Sequence, residues 1–264
     1  MLKALIARAH QGYRTISFPK GKRPELPDHF RGLPVIDQSK CSEGCQACAD
    51  ACPTNAITID GKVRLDMGRC IFCTECVTSC PNGAITYTRD YRLATRTREA
   101  LVLDGNELEL ASKLNADLLK LFGRSLKLRV VSAGDCNACN ADVNVLGTIG
   151  WDLSRFGIQY VASPRHADGL LITGPVTTNM RLALEKTYEA VPDPKIVIAV
   201  GACAISGGLF ATHEEQCGGA AAVVPIDLFI PGCPPHPLTI LDGLLRLIGR
   251  IEKRGSRNAD LSQS

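Results

Sequence analysis

The sequence predicts an α/β chain in two parts, a small cysteine-rich α+β module followed by a doubly wound parallel sheet. Eight of its thirteen cysteines fall between Cys41 and Cys80 in two similar blocks, CQACADACPTNAIT and CTECVTSCPNGAIT, which form an internal repeat. From Leu126 onward, short apolar runs alternate with helical patterns, as in a parallel sheet with crossover helices. A hydrophobic content of 45% over 264 residues supplies a core for each part.

Taken in order, residues 1–40 read as a basic arm, with eight Lys or Arg against three Asp or Glu. Pro19, Gly21, Pro24, Pro27, Gly32 and Pro34 favour an extended course. At its start Leu2, Leu5, Ile6 and Ala9 fall at helical spacing, with Lys3 and Arg8 elsewhere on the wheel. Such a helix suits a membrane surface or a membrane subunit, or packs on its own domain. No aromatic interleaving or helix-turn-helix signal accompanies the charge, so nucleic acid is not an expected partner. Residues 41–90 hold the repeat. Residues 91–125 read as a linker, with a helix over 107–122 marked by Leu110, Leu114, Leu118 and Leu121.

Residues 126–250 form the second domain, expected to be flavodoxin-like in class. Strands are expected near 128–131, 158–161, 170–172, 196–200 and 226–230, with helices over 142–149, 179–189 and 238–253. Residues 251–264 are a polar tail. The start, MLKALIARAH, lacks the apolar region of a signal peptide, so the thiols are expected reduced, in the cytoplasm. The longest uncharged stretch, 196–212, is 17 residues with three internal glycines, short for a transmembrane span.

Cys70, Cys73, Cys76 and Cys80, followed by Pro81, give C-x2-C-x2-C-x3-C-P. This is the bacterial-ferredoxin run, in which three cysteines bind one 4Fe–4S cluster and the fourth crosses to the other. The first block, Cys41, Cys45, Cys48 and Cys52 before Pro53, carries one extra residue beside Gly44, which can be looped out. Cluster one is therefore assigned to Cys41, Cys45, Cys48 and Cys80, and cluster two to Cys70, Cys73, Cys76 and Cys52. Structural zinc, the rival, favours paired knuckles with a longer spacer and often His. Two tetrads, each with a trailing proline, fit it poorly.

The other cysteines acquire order from the expected strands. Cys136 and Cys139 follow the strand ending near Val131, Cys203 the one ending at Val200, and Cys233 the one ending at Ile230. Loops at the carboxyl ends of parallel strands converge on one crevice, so these four thiols could hold a third 4Fe–4S cluster. Gly134, Gly201, Gly232, Pro234 and Pro235 surround them, as where backbone approaches a bulky group.

GDCNAC, SPRHADGLLITGPVT, IAVGACAISGGLF and IPGCPPHP resemble the small subunit of membrane-bound, energy-converting nickel–iron hydrogenases of the formate-hydrogenlyase type. That family is homologous to the complex I cluster-N2 (20 kDa) subunit, and the resemblance covers about 124–250. The front half resembles the two-cluster ferredoxin subunit of the same complexes, through HFRGLP before the cysteines and RLATRTREAL after them. The chain thus looks like a fusion of two neighbouring subunits.

The resemblance implies that Cys136, Cys139, Cys203 and Cys233 bind the cluster proximal to an active site on a separate large subunit. Cys217 matches no ligand position. The function implied is electron transfer through three 4Fe–4S clusters between an upstream redox donor subunit and a nickel–iron large subunit. Membrane-embedded antiporter-like and anchor subunits would complete the assembly, at the cytoplasmic face of the inner membrane. The alternative partner is a complex I-like, quinone-reducing or nickel-free large subunit. A third reading is an assembly adaptor whose clusters stay out of turnover. Complex I relatives carry adjacent cysteines where this chain has C-x2-C, which favours the hydrogenase branch, as does His166. Where that branch has two acids after the second cysteine, this chain has Asn140 and Asp142. Asp142 is then a proton-transfer candidate or a helix cap. Arg165 and His166 could tune the proximal cluster, or Arg165 could form an ordinary salt bridge, while His236 is not assigned as a ligand.

Overall fold

The computed structural model describes residues 2–21 and 24–251. The chain opens with helix α1 (Leu2–Gln11), which buries no side chain, so it does not pack on its own domain. Strand β1 (Pro34–Ile36) follows, so the end of the arm is paired into a sheet. Helical turns α2 (Ala47–Asp50) and α3 (Glu75–Thr78) lie inside the two cysteine blocks, with strands β2 (Ile57–Asp60), β3 (Lys62–Asp66) and β4 (Ile85–Tyr87) after them. β5 (Val102–Leu103) completes this part. β1 pairs antiparallel with β4, and β3 lies between β2 and β5.

The small module thus reaches beyond 41–90 on both sides. Its sheets are short, and an unpaired edge would leave backbone donors and acceptors unmet. The arm supplies β1, which buries Pro34 and Ile36 while exposing Val35, and the expected linker supplies β5.

The linker helix expected over 107–122 is only α4 (Ala116–Phe122). Asn115 starts it by accepting the Leu118 N–H through its side chain at 2.9 Å. Upstream, Leu108, Ala111 and Leu114 are buried from non-helical backbone, whose N–H groups bond elsewhere. Ala111 N donates to Ala94 O at 2.8 Å and Leu114 N to Leu247 O at 3.0 Å. The leucine spacing looked helical, but long-range hydrogen bonds and burial override it.

The second part is a five-stranded parallel sheet of β6 (Leu126–Ser132), β7 (Ile158–Tyr160), β8 (Gly169–Thr173), β9 (Ile196–Val200) and β10 (Leu228–Ile230). Across the sheet the order is β10-β9-β8-β6-β7, which is 2-1-3-4-5 counted along the chain. Helices α5 (Ala138–Val145), α6 (Thr178–Ala190), α7 (Ala202–Ser206) and α8 (Pro237–Leu247) connect or follow the strands. Side chains alternate across the strands, so each face has its own core. Leu171, Ile198 and Ile230 join Val143 of α5 and Leu241 of α8, while Leu170, Ile172 and Val197 join Leu184 of α6. β8 and β9 are buried at every residue and read as unbroken apolar runs.

Two helix boundaries differ from expectation. α5 spans 138–145 rather than 142–149, and α8 stops at Leu247 rather than Lys253. Lys253 and nearly all of the polar tail lie outside the described residues. α8 is buried on every side because the sheet covers one face and the span around 94–114 covers another. Burial of each of its Leu and Ile side chains contributes about 1.5–3 kcal/mol. Its Asp242 and Arg246, 2% and 6% exposed, pair at 2.7 Å and so remove one charged liability from that core.

A shared core joins the two parts. Leu65, Met67 and Leu101 of the small module cluster with Ala199, Ala204, Ile205 and Phe229 of the sheet domain. The RLATRTREAL stretch stitches the seam. Thr95 and Phe229 exchange backbone hydrogen bonds at 3.0 and 2.9 Å, and Arg96 Nε donates to Asp227 O at 2.6 Å. Arg98 grips Asp66 with two bonds of 2.7 and 2.5 Å.

Candidate functional site

The thirteen cysteines carry no disulfide and fall into three groups of four and one remainder. Cys41, Cys45, Cys48 and Cys80 line one cavity. Cys52, Cys70, Cys73 and Cys76 line a second, with Tyr87. Cys52 and Cys80 have each crossed to the other block's cavity. The trailing prolines and short α2 and α3 turns permit this exchange. The extra residue of the first block sits in a tight turn, with Cys45 N donating to Ser42 O at 3.2 Å. Gly44 at that turn has φ +73°, a conformation glycine adopts without strain.

Both cavities point backbone donors at sulfur. Ala56 N lies 3.2 Å from Cys52 Sγ, Ala84 N 3.2 Å from Cys80 Sγ, and Phe72 N 3.3 Å from Cys70 Sγ. Backbone bends that side chains rarely adopt help to aim them. Asn55, Phe72 and Thr74 all have positive φ. Such strained residues gather at functional sites.

The third group comes from three loops at the carboxyl ends of β6, β9 and β10. Cys139 is buried, and the charges that act on its thiol include Cys233, Cys203 and Cys136. Gly201, at φ +92°, leaves room for this approach, because a Cβ there would stand 2.5 Å from Cys139 Sγ. A Cβ on Gly208 would stand 2.8 Å from Cys203 Sγ. Asp135 fixes the first loop by accepting Ser132 Oγ at 2.6 Å and Thr173 Oγ1 at 2.7 Å. The sequence reading missed Asp135, although its place beside Cys136 in GDCNAC offered a cue. It also missed Tyr87, whose Oη lies 3.4 Å from Cys70 Sγ, and the Arg98–Asp66 clamp.

Burial raises the thiols of Cys48, Cys70 and Cys203 to about 11 and pushes Cys139 higher still. Neighbouring thiolates add to the rise. Four anions in one low-dielectric cavity need a cationic core to stabilise them. Among the described residues, no group of three or more His, Cys, Asp or Glu could hold a single metal ion. In the first two groups the sulfurs instead line cavities, and their all-thiolate donor sets and inward N–H groups fit iron–sulfur cubes.

A cleft of about 460 Å³ separates the second cavity from the third group. Ile71, Phe72 and Cys73 line it together with Cys233, Pro234, Pro235 and His236. His29, Phe30 and Arg31 of the HFRGLP stretch also line it. Arg31 Nη1 donates to Phe72 O at 2.8 Å, and the Phe30 ring packs edge-on to His236 at 5.5 Å. Asp142 also lines the cleft, and burial raises its carboxyl above the ordinary range. It lies within α5, whose N-cap is Asn137, so it does not cap that helix. His236 Nδ1 accepts the Leu238 N–H at 3.1 Å and caps α8. Arg165 and His166 are exposed on a short 3-10 turn, and among the described residues Arg165 has no ion pair. Cys217 stands apart, partly buried against the α6-side core.

The family described as "NADH ubiquinone oxidoreductase, 20 Kd subunit" matches residues 136–247, and "4Fe-4S dicluster domain" matches 40–84. The probable membrane-bound hydrogenase subunit mbhJ of Pyrococcus furiosus is 40% identical over 150 residues, 57% of this chain and 90% of that protein. Formate hydrogenlyase subunit 7 of Escherichia coli is 43% identical over 148 residues, 55% of this chain and 57% of its own length. An NADH-quinone oxidoreductase subunit of Geotalea uraniireducens is 45% identical over 115 residues, 44% of this chain and 67% of that protein. The loops that carry Cys136, Cys139, Cys203 and Cys233 lie within the first of these matches. The chain belongs to the complex I 20 kDa subunit family, which includes hydrogenase subunits, and carries a 4Fe–4S dicluster domain ahead of it.

Proposed function

We propose that this chain is a three-cluster electron conduit of a membrane-associated hydrogenase complex. Cys41, Cys45, Cys48 and Cys80 would hold cluster one, Cys70, Cys73, Cys76 and Cys52 cluster two, and Cys136, Cys139, Cys203 and Cys233 the proximal cluster. Each 4Fe–4S cluster, when bound, supplies a one-electron site. The carrying observation is that Cys73 and Cys233 line one cleft. It supports the order cluster one, cluster two, proximal cluster. The strand order 2-1-3-4-5 supports a flavodoxin-like class for the domain that holds the last of these.

Exposure supports the exit. No thiol of the first two groups is exposed, whereas Cys136 and Cys233 are. Leu209 and Phe210, 54% and 49% exposed, follow closely after Cys203. A large subunit covering this edge would bury apolar surface and exclude water from the proximal cluster. The C-x2-C spacing and the hydrogenase relatives favour a nickel–iron large subunit. Asp142 on the cleft is the proton-transfer candidate. The quinone-side relatives support the second reading, the same wire ending at a nickel-free or quinone-reducing partner.

No helix among the described residues is long and apolar enough to cross a membrane. α1 offers surface attachment instead, with Leu2 and Leu5 71% and 66% exposed and no acidic residue before Glu25. It supports a place against anionic lipid or membrane-embedded antiporter-like and anchor subunits on the cytoplasmic face of the inner membrane, with an upstream donor at the cluster-one end.

The test is rapid-freeze EPR on the anaerobically purified complex, with nickel measured in parallel. Cluster signals that grow under hydrogen, with nickel in the partner, are expected. Reduction only from quinol, without nickel, would favour the second reading. Clusters that never change redox state in turnover would leave the chain an assembly adaptor.

A further inference from the structure

The two cysteine blocks repeat beyond their ligands. Aligned on Cys52-Pro53 and Cys80-Pro81, Ala56 matches Ala84, Ile57 matches Ile85, and Thr58 matches Thr86. The backbone contacts repeat as well, for Ala56 N and Ala84 N each donate to a sulfur at 3.2 Å. The next inward position breaks the symmetry, with Ile59 in the first block and Tyr87 in the second.

Tyr87 Oη lies 3.4 Å from Cys70 Sγ and 3.9 Å from Cys76 Sγ. Among the described residues its hydroxyl has no other hydrogen-bond partner. The ring is fixed in place. β4 pairs Tyr87 with Pro34, Thr88 N donates to Leu33 O at 2.9 Å, and Phe72 packs edge-on at 5.9 Å. Thiolates bound to iron have no proton to donate, so at this site the phenol O–H is the donor and the sulfurs accept. Ile59, at the matching position, has no hydroxyl and does not line the first cavity.

We propose that Tyr87 raises the potential of cluster two, its O–H donating to the Cys70 and Cys76 sulfurs. A hydrogen bond to ligand sulfur stabilises the more negative, reduced state of the cluster, and so raises its potential. The cluster so favoured borders the cleft toward the proximal group, so the effect falls on the cluster next to the exit. The proposal rests on the reading that these cysteines hold clusters.

EPR-monitored redox titration of the whole complex tests it, comparing wild type with Tyr87→Phe. The variant keeps the ring and its packing. Its cluster-two potential is expected to shift negative while cluster one stays in place and iron content is unchanged. An unmoved cluster-two potential, or equal shifts in both clusters, would overturn the proposal. Should Tyr87→Phe lose its cluster, 3-fluorotyrosine incorporated in place of tyrosine decides, because its phenol is a stronger donor while the amide donors of Phe72 and Ala56 stay as they are. A cluster-two potential shifted positive with cluster one unmoved supports the assignment, and an unmoved cluster-two potential overturns it. A wild-type chain without iron at Cys52, Cys70, Cys73 and Cys76 would instead overturn the underlying reading, so the two failures are distinguishable.

Discussion

The ferredoxin module and the sheet domain gather cysteines by opposite means. In the module, one short turn is used twice and each block lends its last cysteine to the other, so eight thiols sit within 40 residues of chain. In the sheet domain, four thiols separated by up to 97 residues meet because parallel strands deliver three loops to one edge. The first arrangement is enclosed, with no exposed thiol, and the second opens to solvent through Cys136 and Cys233. A local motif can enclose its cargo alone, while a site built from loop tips leaves one side for a partner to close.

Cys233→Ser has the largest expected effect on this comparison. It should remove the proximal cluster, about four irons per chain, and spare the EPR signals of the module. Loss of all iron would mean that the two sites do not assemble independently. Gly201→Ala comes next. The new Cβ would press on Cys139 Sγ from a backbone at φ +92°, a strain of about 1–3 kcal/mol. Lower thermal stability and a partly empty proximal site are expected, measured by calorimetry and iron assay, with the module unaffected. Cys217→Ser should be the mildest. Iron content should not change, and stability should move by about 1 kcal/mol or less, since Cys217 is only partly buried and belongs to no tetrad.

The same contrast explains what the sequence made legible. The module's cysteine groups followed from spacing and trailing prolines, because each turn is local and short. Cys136, Cys139, Cys203 and Cys233 can be grouped only once the strands are placed, and β9, which leads to Cys203, is easily placed because it is an unbroken apolar run. What stayed hidden was contact between distant segments. Leu110, Leu114, Leu118 and Leu121 satisfied a helical period, but nothing local reveals that Leu114 N bonds to Leu247 O. The arm and linker looked like connections, yet they supply β1 and β5, because strand pairing of two or three residues leaves almost no periodic trace. Tyr87 was unreadable for the same reason. Its significance lies in where a two-stranded pairing aims its ring.

Iron and acid-labile sulfide counted per chain, on anaerobically prepared intact protein, test the central claim most directly. The account predicts about twelve of each, with Mössbauer parameters of three four-iron clusters. A count of about eight or fewer would contradict it, leaving a two-cluster ferredoxin attached to a sheet domain that holds no cluster of its own.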